Sequence, residues 1–193
     1  MNSTDVFPAT VFLIDVVFLN RFIKDTKDYF ENHLKQSLPD IDISDLLTYM
    51  GLDAGLTEGE GDSMVLMISD ESLCKLNNCR PSDLRTELNG VAFRNNLGEF
   101  SFNSYFPEGM VKRNDFFLDY LTIILDMDEV KRIIIVGDEP YYGSGITMLL
   151  TDTRNKKIIR FGIEKPEPDG KYLKELLPYP LMRAFHIKGD ELG

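Results

Sequence analysis

Two aspartates in this chain stand where a fold could bring their carboxylates together. Asp15 closes the apolar run 11–14, and Asp138 follows the apolar run 133–136 after a single glycine. The carboxyl ends of parallel strands meet at one edge of a sheet, and open α/β folds build their sites at that edge. If both runs are parallel strands, Asp15 and Asp138 meet at the same edge and supply acidic groups for chemistry there.

Two further aspartates, Asp115 and Asp119, lie four residues apart near the start of a predicted helix. This spacing places both side chains on one helix face. The same face continues through Thr122 and Asp126, which are also polar. The stripe is typical of a solvated helix face whose early acids complement the helix dipole. The alternative interpretation is that Asp115 and Asp119 contribute to the acidic site at the sheet edge.

Four short apolar runs predict strands that are buried on both faces of a sheet. Helical patterns lie between these runs, so right-handed crossovers and a mainly parallel sheet are expected. The fold class predicted from the sequence is therefore α/β, with a mainly parallel sheet flanked by helices. The predicted strands are 11–14, 64–68, 133–136 and 157–161, and the longer predicted helices are 19–36, 113–127 and 146–153.

Shorter elements are indicated by caps, turns and prolines. Ser44 is expected to cap a short helix that Gly51 ends, and a helix is expected at 81–88. A hairpin with a four-residue connection at 95–98 joins two strands. Beyond residue 164 the sequence predicts a charged tail with one short helix at 172–177.

Length and composition predict one ordinary globular domain. The chain has 193 residues, of which 43% are hydrophobic and 27% charged, so we expect a single domain over 1–193. No apolar run approaches the ~18–20 residues of a membrane span, and the first ten residues lack a signal-peptide pattern. The sequence thus predicts a cytoplasmic protein that does not enter the membrane.

The charge balance limits the partners that the surface can attract. The chain carries 32 acidic and 21 basic side chains, a formal net charge of −11. This charge repels phosphate backbones and disfavours broad nucleic-acid binding. The acidic excess could be neutralised in part by a metal site or could face a basic partner protein, and composition does not choose between these two.

Three short motifs stand at predicted strand ends and at a helix start. They are the apolar strand ending in Asp at 12–15, the Lys-Arg-Asn-Asp that opens a helix at 112–115, and the Val-Gly-Asp-Glu-Pro-Tyr at 136–141. Together these motifs resemble the NYN group of PIN-like metal-dependent ribonucleases. The run 156–162 matches the strand that follows in the family. The resemblance implies a three-layer PIN-like fold, and a site that binds RNA locally and cleaves it with one or two Mg²⁺ or Mn²⁺ ions. The implied catalytic and metal-binding residues are Asp15, Asp115, Asp119 and Asp138, with Glu139 as a further metal ligand.

Two departures from the NYN pattern lead us to expect slow or absent cleavage. Pro140 replaces the second acid of the last motif, and Val16-Val17-Phe18 replaces the small and amide residues after the first aspartate. Two alternatives stay open. The haloacid dehalogenase-like phosphatases share with this chain a strand ending in Asp, a serine matched by Ser69, a later lysine matched by Lys112 and a Gly-Asp. Their motif also needs a second aspartate two residues after the first, as a general acid, and this position is Val17 here. The other alternative is a non-enzymatic acidic protein that binds a basic partner.

Overall fold

The fold is a three-layer α/β arrangement in which helices cover both faces of one sheet. A computed structural model describes residues 7–151, 153, 155–164 and 172–188. The strands are β1 (Thr10–Asp15), β2 (Ile41–Asp42), β3 (Ser63–Ile68), β4 (Cys79–Arg80), β5 (Ala92–Asn95), β6 (Gly98–Tyr105), β7 (Arg132–Val136), β8 (Lys157–Gly162) and β9 (Leu173–Leu176). The helices are α1 (Val16–Leu34), α2 (Ile43–Asp53), α3 (Arg113–Asp126), α4 (Glu139–Leu150) and α5 (Pro178–Ala184), with a π-helical turn at Leu84–Leu88.

Seven strands form the main sheet in the order β5-β6-β3-β1-β7-β8-β9. Every neighbouring pair is parallel except the hairpin of β5 and β6. The prediction that the four apolar runs lie in one sheet with a shared direction is confirmed. The short strands β2 and β4 pair separately.

The central strand β1 shows why these runs are apolar without alternation. Phe12 and Ile14 point into the core that α1, α2 and α5 cover, and Val11 and Leu13 point into the core beneath α3 and α4. All four side chains are fully buried. A strand with helices on both faces has no solvated side, so both halves of its pattern are apolar.

The connections after β1 and β7 leave the sheet on opposite faces. α1 follows β1 and packs Phe18 and Leu19 into one core, whereas α4 follows the adjacent strand β7 and packs Ile146 and Leu150 into the other. Neighbouring strands whose helices diverge in this way leave a crevice outside their carboxyl ends. The fold therefore places such a crevice between the first residues of α1 and α4.

The helix predicted at 146–153 begins earlier, at Glu139, directly after Asp138. Pro140 suits the first turn of a helix, because its missing N–H has no helical partner there. Gly143 directly follows a break in this helix at Tyr142. A side chain at Gly143 would place its Cβ 2.7 Å from a guanidinium nitrogen of Arg160, so the guanidinium would have to shift.

The short helix predicted at 172–177 is wrong. Leu173–Leu176 is a strand that pairs in parallel with β8, and Leu177 leads into α5, where Pro178 lies in the first turn. Pairing with the edge of β8 satisfies backbone groups that an isolated turn of helix would leave to water. The other parts of the predicted charged tail, residues 165–171 and 189–193, lie outside the described residues.

Three smaller predictions need correction. Asp42, not Ser44, caps α2, and the helix runs through Gly51 to Asp53. The hairpin connection has two residues, because Asn95 pairs with Gly98. The helix predicted at 81–88 is the shorter π-helical turn, which begins at Leu84. Asp83 caps this turn by accepting hydrogen bonds from two backbone N–H groups. Within the described part of the chain, no helix is both long and apolar enough to cross a membrane.

Candidate functional site

Asp15 and Asp138 occupy the crevice between α1 and α4. Each aspartate is the residue that precedes its helix, and the strands that carry them are hydrogen-bonded neighbours. Both residues are almost completely buried, with exposed fractions of 0% and 2%. The prediction that these strand ends share one edge of the sheet is therefore confirmed, and the role of the two carboxylates depends on the groups around them.

Asp15 is held by three donors. Its Oδ1 accepts a hydrogen bond from the backbone N–H of Phe18 at 3.0 Å, which caps α1. Its Oδ2 accepts from the hydroxyl of Tyr142 at 2.6 Å and from Nε of Arg113 at 3.2 Å. A buried carboxylate with three donors and an adjacent guanidinium is both bonded and charge-neutralised.

Arg113 links Asp15 to a third carboxylate. Its Nη1 donates to Oδ2 of Asp70 at 3.1 Å, while its Nε donates to Asp15. Burial opposes ionisation of Asp70, but the hydroxyl and N–H of Ser72 and the Arg113 guanidinium outweigh it and lower the pKa of Asp70 below its usual value. Arg113 therefore holds together the ends of β1 and β3.

Tyr142 is positioned by a local break in α4. Its backbone leaves helical geometry at φ −144° and ψ 21°, and its ring packs against Phe117 with centroids 5.2 Å apart. Burial and then the negative charge of Asp15 raise the pKa of the Tyr142 hydroxyl, because ionisation would place two negative charges in contact. The hydroxyl thus stays a donor to Asp15.

Asp138 has a less complete environment than Asp15. Its Oδ2 accepts a hydrogen bond from Nη2 of Arg21 at 3.0 Å. Its Oδ1 is buried and has no hydrogen-bond partner among the residues that the structure describes. The Arg21 side chain is 56% exposed and lies over the ring of Phe18, with its guanidinium carbon 5.8 Å from the ring centroid.

Glu139, the further acid of the predicted site, is paired with Arg160. Its Oε1 lies 2.9 Å from Nε of Arg160, in a close ion pair whose angle is poor for a hydrogen bond. The buried guanidinium of Arg160 also donates to Oγ1 of Thr147 at 3.1 Å and to the hydroxyl of Tyr172 at 3.3 Å. Glu139 therefore belongs to a separate arginine-centred cluster.

Asp115 and Asp119 lie on the exposed face of α3. Phe117, Leu121 and Ile124 on the opposite face are fully buried. The described contact of the Asp115 carboxylate is with the neighbouring Asn114 amide, at 3.0 Å. This position agrees with the solvated-face interpretation of the stripe.

The crevice as described fits guanidinium groups better than a divalent ion. A cation bound by Asp15 would have to displace Arg113, whose positive charge it would duplicate. Within residues 7–151, 153, 155–164 and 172–188, no three acidic, histidine or cysteine side chains are grouped so that they could hold a metal ion. The metal-binding role of the predicted residues stays a prediction, and no chemical step is derived from it.

Of the serine and the lysine that match the phosphatase pattern, the serine is engaged in a structural contact and the lysine is exposed. The Ser69 hydroxyl is buried and donates to the carbonyl oxygen of Leu73 at 2.7 Å. Lys112 precedes α3 and is exposed, and its side chain does not cap the helix. These contacts give the serine and the lysine no described role at the two aspartates.

Sequence reasoning missed the arginines of this site. Arg113 lies inside the Lys-Arg-Asn-Asp motif, and Arg21 lies one turn into α1. Neither position in the sequence indicates that its side chain pairs with Asp15 or Asp138. No sequence pattern indicated Tyr142 as a partner of Asp15, yet its hydroxyl donates to Asp15, while the neighbouring Tyr141 is exposed. The available signal was a basic residue near the start of each of two helices, Arg21 in α1 and Arg113 in α3.

The fold and the site define a class: a three-layer α/β domain whose strand-end carboxylates are neutralised by arginines of its own chain. The family model that matches the chain, over residues 5–192, is described as a family of unknown function, DUF6621, and the chain belongs to this family. No curated protein and no solved structure matches the chain. The function has to be argued from the site itself.

Proposed function

We propose that this protein is a non-enzymatic binding module that recognises a basic segment of a partner protein. The observation that carries the proposal is a difference in how the acids are paired. Asp15 and Asp138 at the sheet edge are each held by an arginine of the chain, whereas Asp115 and Asp119 on α3 are exposed and have no ion pair among the described residues.

The exposed acids of α3 form one face that is available to a partner. Asp115, Asp119 and Asp126 follow one another at helical spacing, and all three are exposed. We call these three residues the α3 stripe. Together with the net charge of −11, the stripe creates a negative potential that draws in a basic surface and speeds its association.

Binding is better supported than catalysis for a second reason. A metal-dependent nuclease needs carboxylates that are open to cations, and a negative surface opposes the approach of a phosphate backbone. Here Asp15 is completely buried beneath Arg113 and Tyr142. These features favour structural roles for the edge carboxylates and an electrostatic role for the surface.

Association with a lysine- and arginine-rich peptide tests the proposal. Stopped-flow fluorescence should give an association rate that falls steeply as salt rises, because exposed charges are screened within ~8 Å at physiological ionic strength. The variant Asp115→Asn/Asp119→Asn/Asp126→Asn should associate more slowly than the unmutated protein. No association with the peptide at low salt would contradict the proposal.

A matched control separates the α3 stripe from net charge alone. The variant Asp28→Asn/Asp53→Asn/Glu99→Gln also removes three negative charges. These three acids are ion-paired with Lys24, Arg183 and Arg94. This variant should slow association less than the α3 variant does. Equal slowing by both triple variants would show that the stripe has no special role.

The metal-dependent ribonuclease that the sequence resemblance implies is the second candidate. One observation favours it: Oδ1 of Asp138 is buried without a hydrogen-bond partner among the described residues, so this oxygen is a candidate ligand for a metal ion. Calorimetry with Mn²⁺ tests the site, and Asp138→Asn should weaken any binding because it removes a charged oxygen. No heat of Mn²⁺ binding at millimolar concentrations, together with no cleavage of single-stranded RNA, would retire this candidate.

A further inference from the structure

A cleft opens beside the crevice that holds Asp138. It has a volume of about 340 Å³ and is lined by Phe18, Glu139, Pro140, Ile163 and Glu164. Its lining joins an aromatic ring and two apolar side chains to two carboxylates. Ile163 is 45% exposed, so the apolar part of the cleft is open to solvent.

A second cleft continues along the same face of α1. It has a volume of about 320 Å³, and its lining includes Phe22, Asp25, Tyr29 and Pro178. Phe18 lines the first cleft and Phe22 the second, and their rings are stacked, with centroids 6.1 Å apart and planes 8° from parallel. We call the surface formed by both linings the α1 groove.

The α1 groove combines two features that recognise a cationic side chain. Aromatic faces attract guanidinium and ammonium groups, and nearby carboxylates pair with them. Tyr29 is 63% exposed and Asp25 is exposed beside it. From Phe18 to Tyr29 the helix rises ~16 Å, which matches roughly five residues of extended peptide.

Arg21 already occupies the position that an incoming guanidinium would take. It lies over the Phe18 ring and bonds one oxygen of Asp138, and it leaves the other oxygen without a described partner. More than half of the Arg21 side chain is exposed, so it can leave this position without unpacking the core. A guanidinium that approaches along the groove can present two parallel N–H donors to both oxygens of Asp138.

We propose that the α1 groove binds an extended, arginine-rich segment of a partner protein, and that one arginine of this segment replaces Arg21 over Phe18 and against Asp138. This inference rests on the proposed function and assigns the contact surface. The α3 stripe steers the basic segment by long-range attraction, while the concave aromatic groove supplies the close contacts that slow its release.

Fluorescence anisotropy with a labelled Gly-Arg-Gly-Arg-Gly-Arg peptide tests the groove. A peptide with citrulline in place of arginine has the same shape without charge and should bind at least about tenfold more weakly. Tyr29→Ala should weaken binding of the arginine peptide about fivefold through faster release, whereas Met148→Ala, at an even more exposed position on α4, should leave binding unchanged. Equal affinity of Tyr29→Ala and the unmutated protein would overturn the groove assignment.

Arg21→Ala gives a sharper test of the displacement. Removing the internal competitor should tighten binding of the arginine peptide about threefold or more, because the pocket then starts vacant. The matched control Arg94→Ala removes one exposed arginine that is paired with Glu99 and should not tighten binding beyond the effect of net charge. Weaker or unchanged binding by Arg21→Ala relative to Arg94→Ala would overturn the displacement.

Free methylguanidinium tests the same pocket without a peptide. Millimolar methylguanidinium chloride should raise the melting temperature of Arg21→Ala above its value in sodium chloride of the same concentration, and Arg94→Ala should show no such rise. The absence of this rise in melting temperature would overturn the displacement of Arg21.

The outcomes separate the groove inference from the proposed function. If the α3 variant changes peptide binding but Tyr29→Ala and Arg21→Ala do not, the groove inference fails while the proposed function stands. If no basic peptide binds, the proposed function fails as well.

Discussion

Asp15 and Asp138 hold the same position on neighbouring strands but lie in different environments. Asp15 accepts three hydrogen bonds from Phe18, Tyr142 and Arg113, and the Arg113 side chain is only 20% exposed. Asp138 accepts one described hydrogen bond, from Arg21, whose side chain is 56% exposed. The carboxylate of Asp15 is enclosed by mostly buried groups, whereas that of Asp138 is covered by an exposed arginine side chain that can move away.

This difference separates structure from recognition. A buried carboxylate whose donors are also buried stabilises the junction of three elements, because leaving any member alone exposes an uncompensated charge to the core. A buried carboxylate whose counter-ion is exposed can exchange that counter-ion for another cation. We therefore expect substitutions on the Asp15 side to change stability, and substitutions on the Asp138 side to change binding.

The largest expected effect is that of Arg113→Ala. The substitution leaves Asp15 as an unpaired charge in the core and should reduce the free energy of unfolding by about 3–5 kcal/mol. Urea unfolding followed by circular dichroism measures it. A loss under about 1 kcal/mol would mean that Arg113 is not the counter-ion that stabilises this edge.

Tyr142→Phe should reduce the free energy of unfolding by about 1–3 kcal/mol, because Oδ2 of buried Asp15 loses a donor. The raised pKa of Tyr142 also predicts the pH dependence. The folded state keeps the proton that the unfolded state releases near pH ~10, so stability is present below pH ~10 and falls as pH rises toward the folded pKa. Urea titrations from pH 8 to 11 should show a shallower alkaline loss for Tyr142→Phe, and identical slopes would contradict the assignment.

Arg21→Ala should have a much smaller effect than Arg113→Ala. Asp138 is buried, but more than half of the Arg21 side chain is solvated, so we expect a loss of about 1–2 kcal/mol in the free energy of unfolding. Parallel urea titrations of the two alanine variants measure the contrast directly. Equal losses would show that the two strand ends are equally closed and would remove the basis of the comparison.

Asp70→Asn should alter the acid limb of the stability profile. The pKa of Asp70 is lowered in the fold, so its contribution is present above the unfolded pKa of ~3.9 and is lost as pH falls through the folded value. The unmutated protein should therefore lose more stability than Asp70→Asn between pH 5 and pH 2. Thermal unfolding at a series of pH values checks this, and parallel profiles would contradict it.

The smallest expected effect on stability is that of Asp119→Asn. Asp119 is exposed and has no ion pair among the described residues, so the free energy of unfolding should change by less than ~0.5 kcal/mol. The same variant should slow association with a basic peptide. A stability loss above about 1 kcal/mol would reveal a structural contact for the α3 stripe.

The fold could be predicted well where the pattern was local and strong. The uninterrupted runs in β1, β3, β7 and β8 indicated strands buried on both faces, and their direction followed from the helices between them. The strand β9 was missed, because Leu-Lys-Glu-Leu has no strong pattern and becomes a strand by pairing with the edge of β8. Residues 139–145 of α4 were missed because Pro140, Gly143 and Gly145 are typical of a loop.

The sequence by itself determined the α/β class and the meeting of Asp15 with Asp138 at one sheet edge, since apolar periodicity and the acidic strand ends are local properties. Only the tertiary structure decided what surrounds these carboxylates. Arg113 is 98 residues from Asp15 in the chain, and Arg21 is 117 residues from Asp138. A counter-ion brought in over such a separation leaves no trace in local spacing, because packing of the helices against the sheet selects which basic side chain reaches which acid.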